Sequence, residues 1–372
     1  MTMGPALTLP RLVFGPGKLA ALRDELAWLG CRRPLLISDR GLEKAGLVAQ
    51  VMEAAPAIIA TFLDVPENPT AEGCDLAAQA CLDGVCDSII ALGGGSVIDT
   101  AKLVAALIPS GLPQAADLIG HTDLIDDNVL PLIAIPTTLG TGSESSPVSA
   151  MHLVPGGPTY GVRSARLVPR LALCDPDLAR SLPPRLIAAT GIDALSHCIE
   201  GYFANPGNPI IDALALDGIA RVTDAIHDAV KPEGDAARMS LMAAAYAGGV
   251  AIHKGLGPAH AIAVSCADQH LHHGTAVAIA LPHTTRLLST HVPAKAAKVR
   301  RAMGLLPDTD LGGAISAVIE ALGMPETLSA AGYVVRDKDA LLADVVASHF
   351  NRSSPYAPTI DEYRAILDRI SG

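Results

Sequence analysis

The stretch SIIALGGGSVIDTAKLVAAL, residues 88–107, decides the fold class of this chain. It begins with a short apolar run typical of a buried strand, continues through three glycines, and ends in an Ala- and Leu-rich segment with helical spacing. Two further apolar runs, RPLLISD (33–39) and LPLIAIPTT (130–138), have the composition of buried strands. Strands that alternate with helices predict a doubly wound α/β layer with a parallel sheet.

The second half of the chain has a different pattern. Long Ala/Leu-rich segments such as 213–230 and 236–252 have helical spacing, and convincing strand patterns are missing there. A length of 372 residues is more than one core usually spans. We therefore expect an α/β domain over residues 1–180 and an all-helical domain over residues 181–372, divided where the prolines of SLPPR interrupt regular structure.

Composition narrows the function classes. The net charge is −11 and aromatic residues make up only 3% of the chain, which argues against nucleic acid and anionic membranes as partners. No apolar stretch approaches the length of a membrane span, and the first residues lack a signal-peptide pattern. Seven cysteines without a C-x-x-C pair suit a reducing compartment, so we expect a cytoplasmic protein in which Cys198 serves packing.

The glycine turn of the opening stretch is a candidate phosphate site. Glycines between a strand and a helix let backbone approach a ligand closely, and the free N–H groups of the helix start favour an anion. Ile98 occupies the third glycine position of the common G-x-G-x-x-G fingerprint, so the match is partial. Ser96 and Asp99 also form an S-x-x-D pattern, which leaves a plain helix cap as an alternative. A second strand end, IPTTLGTGSE (135–144), supports a ligand crevice at one sheet edge.

Asp39 closes the strand PLLISD and is a candidate for recognition of a ribose. A carboxylate there would accept hydrogen bonds from ribose hydroxyls and repel a 2′-phosphate, which favours NAD(H) over NADP(H). The alternative is an aspartate that serves the turn before Arg40. Arg40 itself complicates the charge argument because a guanidinium could meet a phosphate.

Asp193 and His197 stand four residues apart in GIDALSHCIE (191–200), a spacing that places both side chains on one face of a helix. Taken alone, such a pair is more often a surface pair or an aspartate near a helix start. However, six of the twelve histidines fall within residues 253–283. One carboxylate with three imidazoles suits a divalent ion such as Fe²⁺ or Zn²⁺. Spacing alone does not say which histidines would bind.

Several motifs in order resemble those of one known family, the iron-containing (group III) alcohol dehydrogenases, which are related to glycerol dehydrogenase and dehydroquinate synthase. The resemblance covers nearly the whole chain, and several motifs in the right order are more specific than any one of them. The motifs are LVFGPG, PENPT, GGGSVIDTAK, IPTTLGTGSE, RLALCDPDL, GIDALSHCIE, GLGPAHAIA, HHG and LPH.

The resemblance implies a dehydroquinate synthase-like fold, in which residues 1–180 bind a dinucleotide and the helical residues 181–372 bind a metal. It also implies a homo-oligomer, most simply a dimer. The implied metal ligands are Asp193, His197, His260 and His273, with His260 and His273 also the catalytic residues. The implied NAD(H) contacts are Asp39, Asn68, Gly94, Gly95, Ser96, Asp99, Thr137 and Thr138.

This chain departs from the family pattern near the third and fourth ligands. The interval between them is one residue short, so His272 is a rival to His273, which we favour because it directly precedes Gly274. Many members also carry a histidine four residues after the third ligand, where this chain has Val264. His270 or His272 are possible substitutes in proton handling, although ordinary loop histidines are the simpler interpretation.

The predicted function is that of a metal-dependent oxidoreductase, which transfers a hydride between NAD(H) and a small primary or secondary alcohol or aldehyde. In this mechanism the metal polarises the substrate oxygen. A cyclase or lyase of the dehydroquinate synthase type is one alternative, but it would need several cations near the metal ligands, where the sequence offers only Lys254 and Arg286. A non-catalytic, metal-free member is the other alternative.

Overall fold

The computed structural model describes residues 6–372, which divide into two compact units. The first unit comprises Leu7–Thr138 and Gly142–Leu182. The second comprises Pro183–Gly372 and takes in the short segment Leu139–Thr141 from the first half of the chain.

A six-stranded parallel sheet forms the centre of the first unit. Its strands are β1 Arg11–Phe14, β2 Pro34–Ile37, β3 Ala60–Phe62, β4 Ser88–Gly93, β5 Leu132–Pro136 and β8 Leu171–Cys174. They lie in the order β1-β8-β5-β4-β2-β3. The predicted parallel α/β sheet is therefore confirmed. All three runs that the sequence marked as strands are members of it, as β2, β4 and β5.

Apolar residues cover both faces of this sheet. Along β4, Ile89 and Ala91 belong to the core on one face of the sheet. Ile90 and Leu92 belong to a separate core on the opposite face. Every residue of β4 and β5 is buried, which explains why these strands are continuous apolar runs rather than alternating ones. Burial of each Leu or Ile side chain contributes roughly 1.5–3 kcal/mol.

Five α-helices flank the strands of the first unit, and one antiparallel hairpin extends it. The hairpin consists of β6 Val148–His152 and β7 Thr159–Arg163, and the sequence analysis did not predict it. The helices are α1 Leu22–Leu29, α2 Arg40–Lys44, α3 Leu47–Ala54, α4 Ala71–Asp83 and α5 Gly95–Ser110.

The regular structure of residues 183–372 is helical, as the sequence predicted. Its central element, α6, is buried continuously from Ile187 to Phe203. No helix within residues 6–372 has both the length and the hydropathy needed to cross a membrane. The helices are α6 Pro184–Phe203, α7 Pro209–Ala229, α8 Asp235–Ala251, α9 Pro258–Ser265, α10 His273–His291, α11 Pro293–Ala302, α12 Leu311–Ala321, α13 Lys338–Ala347 and α14 Ile360–Ile370.

Candidate metal and cofactor sites

Helix α6 presents Asp193 and His197 on one face, one turn apart, and both side chains are buried. The Nδ1–H of His197 donates to the carbonyl oxygen of Gly140, 3.3 Å away. A carbonyl only accepts, so this bond fixes the proton on Nδ1 and leaves the lone pair of Nε2 free. That Nε2 lies 3.7 Å from Asp193 Oδ1.

His260 comes from the first turn of α9 and is also buried. Its Nδ1 contacts Glu200 Oε2 at 2.6 Å, so the carboxylate accepts the ring proton. The other nitrogen, Nε2, lies 3.8 Å from Asp193 Oδ1. The rings of His197 and His260 stack with their centroids 4.8 Å apart.

Of the adjacent histidines at the start of α10, His273 is the one whose Nε2 faces Asp193, at 3.8 Å from Oδ1. Its side chain is 45% exposed, whereas His197 and His260 are enclosed. His272 occupies the N-cap position of α10 but makes no capping hydrogen bond through its side chain. Its Nδ1 is buried without a hydrogen-bond partner among residues 6–372. His270, the other substitute considered for proton handling, is an exposed loop residue with a φ of 58°.

Three imidazole nitrogens thus surround one carboxylate oxygen. Within the described chain, Asp193 Oδ1 and His260 Nε2 are buried and have no hydrogen-bond partner. Separations of 3.7–3.8 Å are too long for hydrogen bonds. They are close to the spacing of about 3.4 Å between ligand atoms that a tetrahedral ion with bonds near 2.1 Å requires. Asp193, His197 and His260 have donor atoms close enough together to hold one metal ion.

Burial disfavours the charged form of His197. Together with the neighbouring His260, burial lowers the pKa of His197 to about 3. Burial raises the pKa of Asp193, and the surrounding imidazoles act in the opposite direction. Neutral imidazoles with free lone pairs are the form that binds a metal.

A second group of candidate residues lies at the carboxyl ends of strands in the first unit. The chain leaves β4 toward β5 and leaves β2 toward β3, in opposite directions across the sheet, so β4 and β2 flank the topological switch point. Ligands of open α/β sheets bind outside the carboxyl ends of the strands at such a point. Gly94 follows β4 there, and Asp39 follows β2.

Asp39 is the N-cap of α2, and its Oδ1 accepts from Leu42 N at 2.9 Å. Asp39 therefore serves the turn before α2, which was the alternative interpretation. Its recognition of a ribose remains a prediction. Arg40 forms ion pairs with Asp64 and Glu43. Its guanidinium, which could otherwise meet a phosphate, therefore already has two carboxylate partners.

The glycine turn brings backbone close to the end of β5. A Cβ on Gly94 would lie 3.0 Å from Thr138 Cγ2, so a larger residue would crowd this turn. Gly94 is also the N-cap of α5, whose first residue is Gly95, and no side chain caps this helix. The alternative that Ser96 and Asp99 form a helix cap is therefore wrong, because these residues bond elsewhere.

Ser96 Oγ donates to the carbonyl of Glu67, one residue before Asn68. The carboxylate of Asp99 accepts from Ser143 Oγ at 2.5 Å and from Ala150 N at 2.9 Å. Asp99 therefore ties α5 to residues 143–150, and its role as a cofactor contact remains a prediction.

The remaining predicted contacts differ in exposure. Asn68 is exposed in the bend before α4, whereas Thr137 is buried and its N–H donates to Gly93 O at 3.0 Å. Thr138 Oγ1 is buried and, in the described part of the chain, has no hydrogen-bond partner. A buried hydroxyl without a partner is unfavourable unless a ligand or water supplies one.

Two residues at the metal cluster were not predicted from the sequence. Glu200 follows His197 by three residues on the same face of α6, so helical periodicity could have identified it. Gly140 lies far away in the chain, and no local pattern indicates that its carbonyl would contact a histidine.

Family models match both halves of the chain. The model described as iron-containing alcohol dehydrogenase covers residues 10–176, and that of the C-terminal region of the Fe-containing alcohol dehydrogenase family covers residues 187–371. The chain belongs to the iron-containing alcohol dehydrogenase family. This assignment confirms the resemblance drawn from the sequence motifs.

Relatives of this iron-containing alcohol dehydrogenase family member match along nearly the full length. It is 35% identical to the 4-hydroxybutyrate dehydrogenase of Cupriavidus necator, over 95% of this chain and 96% of the relative. The sulfoacetaldehyde reductase from Bifidobacterium kashiwanohense, solved in complex with NAD+, has a TM-score of 0.91 at 25% identity, over 100% of this chain and 99% of that one. A 1,3-propanediol oxidoreductase structure has a TM-score of 0.90 at 25% identity, over 99% and 100%.

These relatives confirm the predicted enzyme class, an oxidoreductase of the iron-containing alcohol dehydrogenase type. They support it over the cyclase or lyase alternative. The predicted fold, a parallel α/β region followed by a helical region, is likewise that of the family structures.

Proposed function

We propose that this chain is an NAD(H)-dependent alcohol dehydrogenase or aldehyde reductase whose divalent metal is bound by Asp193, His197, His260 and His273. One observation carries the proposal: Asp193 Oδ1 is buried without a hydrogen-bond partner in residues 6–372, and imidazole nitrogens of all three histidines lie 3.7–3.8 Å from it. An unpaired buried carboxylate is costly, and a cation removes that cost.

The donor set suits Fe²⁺, with Zn²⁺ as the other candidate, because both ions accept imidazole and carboxylate ligands. When bound, such an ion supplies a Lewis acid for the oxygen of the alcohol or aldehyde. The chain's part is to hold the four ligands ready. The carbonyl of Gly140 and the carboxylate of Glu200 keep His197 and His260 protonated on Nδ1, and the exposed His273 leaves one side of the cluster open to a substrate.

We also propose that the first unit binds NAD(H), which supplies or accepts the hydride. The uncapped N-terminus of α5 at Gly94 and the unpartnered hydroxyl of Thr138 support a phosphate-bearing ligand at these strand ends. The carboxylate of Asp39 at the neighbouring strand end supports NAD(H) over NADP(H). The other contacts proposed from the sequence are Asn68, Gly95, Ser96, Asp99 and Thr137. In functional terms we place the division at residues 1–180 and 181–372.

The proposed substrate is a small primary or secondary alcohol, or the corresponding aldehyde. The relatives' names support this size class, since they refer to 4-hydroxybutyrate, sulfoacetaldehyde and 1,3-propanediol. We would therefore assay metal-stripped protein reloaded with Fe²⁺ or Zn²⁺ against alcohols and aldehydes with and without an acidic group, following NADH absorbance.

Two further proposals concern the setting of the enzyme. A cytoplasmic location is supported by the seven free cysteines, of which all but Cys86 are buried. A homodimer is supported by the edge strand β1, where Leu12 is 44% exposed and one side of the strand has no neighbour in the six-stranded sheet. Analytical ultracentrifugation tests the dimer.

The decisive variant is His260→Ala. We expect it to lower metal-dependent NADH formation at least a hundredfold and to reduce bound metal in elemental analysis, because the cluster loses a buried ligand. His227→Ala is the control, since His227 is an exposed residue of α7. Wild-type turnover and metal content in His260→Ala would refute the ligand assignment.

A further inference from the structure

Glu200 makes two hydrogen bonds whose combination only a carboxylate provides. Its Oε2 accepts from His260 Nδ1 at 2.6 Å, and its Oε1 accepts from the backbone N–H of Ala259 at 2.7 Å. Both Glu200 and His260 are almost fully buried, with exposures of 3% and 2%. The carboxylate therefore faces two N–H donors in a place that water does not reach.

The backbone around Glu200 is shaped to admit it. Gly257, the N-cap of α9, offers no side chain to cap that helix, and a Cβ at this position would lie 2.9 Å from Glu200 Oε1. Glu200 instead supplies the cap from α6, since Ala259 lies in the first turn of α9. A negative charge at a helix N-terminus is favourable. One side chain thus anchors the start of α9 and the ring of His260 one residue later.

Glu200 adds a second buried carboxyl group beside that of Asp193. In the described structure neither Asp193 nor Glu200 forms an ion pair with Lys or Arg; the side chains that face them are imidazoles. Two buried carboxyl groups without a Lys or Arg partner favour a divalent cation as their partner.

We propose that Glu200 is a positioning residue for the metal: it holds His260 in the tautomer that is protonated on Nδ1, so that the lone pair of Nε2 faces the cation. This inference rests on the proposed metal site. It adds a residue outside the four ligands and explains how the buried His260 ring is oriented. A carboxylate or carbonyl that accepts the second N–H of a metal-bound imidazole fixes the ring orientation and raises its basicity.

Glu200→Gln separates this role from simple packing, because glutamine has the same shape but only one acceptor oxygen. The backbone N–H of Ala259 cannot become an acceptor, so the amide oxygen faces it and the NH₂ group faces His260 Nδ1. The ring must then accept at Nδ1 and carry its proton on Nε2, directed at the oxygen of Asp193. We expect Zn²⁺ affinity to fall 10- to 100-fold.

The experiment measures Zn²⁺ binding to metal-stripped protein by competition with a chromophoric chelator, for wild type, Glu200→Gln and Glu200→Asp. Glu200→Asp keeps two acceptor oxygens, and we expect it to bind Zn²⁺ more tightly than Glu200→Gln does. Asp310→Asn is the matched control. Asp310 also caps a helix, α12, through the N–H groups of Gly312 and Gly313, but it contacts no histidine. We expect it to leave Zn²⁺ affinity unchanged.

The second readout is the tautomer of His260 in metal-free protein, read from long-range ¹H–¹⁵N correlations after ¹⁵N-histidine labelling. We expect Nδ1–H in wild type and Nε2–H in Glu200→Gln. Wild-type Zn²⁺ affinity in Glu200→Gln, or Nε2–H in the wild type, would overturn the proposal. If Glu200→Gln does not fold, the wild-type tautomer and the affinity of Glu200→Asp decide.

Failure of wild-type protein to bind Zn²⁺ or Fe²⁺ would count against the proposed metal site itself. The tautomer measurement needs no metal, and it would still decide whether Glu200 orients His260. The two failures are therefore distinguishable.

Discussion

Gly140 is a residue for which both the backbone and the space around it matter. Its carbonyl accepts from His197 Nδ1, and an added Cβ would lie 1.8 Å from the carbonyl oxygen of Thr190 in α6. The clash is with backbone of a buried helix, so it cannot be relieved by rotation of a side chain. This contact places Leu139–Thr141 against the helix that carries Asp193 and His197.

We expect Gly140→Ala to reduce the free energy of unfolding by about 3 kcal/mol or more and to weaken Zn²⁺ binding at least tenfold. Urea denaturation and chelator competition measure the two effects. Gly161→Ala is the matched control, because a Cβ there meets nothing within 4 Å, and its stability should change by less than about 0.5 kcal/mol. Equal behaviour of the two variants would show that the space at Gly140 is not required.

Glu144 and Lys102 are two buried ionisable residues outside the metal cluster. Lys102 Nζ donates to the carbonyls of Ser146 and Val148, at 3.0 and 2.8 Å, and to Ser146 Oγ at 3.1 Å, while burial lowers its pKa to about 8. Burial raises the pKa of Glu144 from 4.5 to about 7. Its Oε1 has no hydrogen-bond partner in the described residues.

The raised pKa of Glu144 makes the free energy of unfolding depend on pH. Between pH 4.5 and about 7 the folded chain binds this proton more tightly than the unfolded chain, so the contribution is complete below pH 4.5 and is lost as the pH rises through 7. Glu144→Gln imitates the protonated form. We expect it to be more stable than wild type at pH 8, on the order of 1–2 kcal/mol, with a smaller difference at pH 5.

Urea denaturation of both proteins at the two pH values measures this difference. A Glu144→Gln variant that is less stable than wild type by the same amount at pH 5 and pH 8 would contradict the assignment of a buried, proton-binding carboxyl.

Sequence reasoning at the residue scale reached those side chains whose relation is local. The i, i+4 spacing of Asp193 and His197 in a helix already places them together, and the structure has them 3.7 Å apart. The choice between His272 and His273 is different. Helix α10 begins between them, and only the three-dimensional course of the chain shows which ring turns toward Asp193. Gly140 was beyond reach because its partner lies 57 residues away.

At the scale of elements, the carboxyl ends of β4 and β5 meet as the apolar runs predicted. Thr138, two residues after the end of β5, has a buried hydroxyl with no partner among the described atoms. Thr138→Val removes that hydroxyl with little change of shape. We expect the free energy of unfolding to stay the same or rise slightly, because an unpartnered polar group leaves the interior, while the Kd for NADH rises about tenfold.

Fluorescence titration with NADH measures the affinity of Thr138→Val. Thr223→Val in α7 is the control: its hydroxyl donates to Ile219 O at 2.9 Å within the helix, so NADH affinity should not change. Unaltered NADH affinity in Thr138→Val would remove this hydroxyl from the proposed contacts.

The elements that sequence reasoning missed are short or depend on partners. Each strand of the β6–β7 hairpin has five residues, and their pairing is antiparallel in a unit dominated by parallel strands. The S-x-x-D pattern at residues 96–99 left a helix cap as an alternative, but Gly94 is the N-cap and Asp99 accepts hydrogen bonds from Ser143 and Ala150. Local patterns do not show which distant donors compete for a carboxylate.

At the scale of the whole molecule, the two proposed ligands belong to different units. Zn²⁺ at 100 times its Kd should stabilise the unit that binds it by about 2.7 kcal/mol. Hydrogen–deuterium exchange would therefore show slower exchange in α6 and α9 with Zn²⁺, and slower exchange in β4 and the start of α5 with NADH. Protection by Zn²⁺ confined to the strand ends of the first unit would contradict the division of roles.

Helix α6 carries Asp193, His197 and Glu200, and it has no exposed residue from Ile187 to Phe203. Each residue of an α-helix turns the chain by about 100°, so inserting or deleting one residue before position 193 would swing all three side chains away together. Laboratory evolution of new substrate preferences should therefore find its useful changes in the segments around α6. Helix α6 itself should tolerate almost no insertions or deletions.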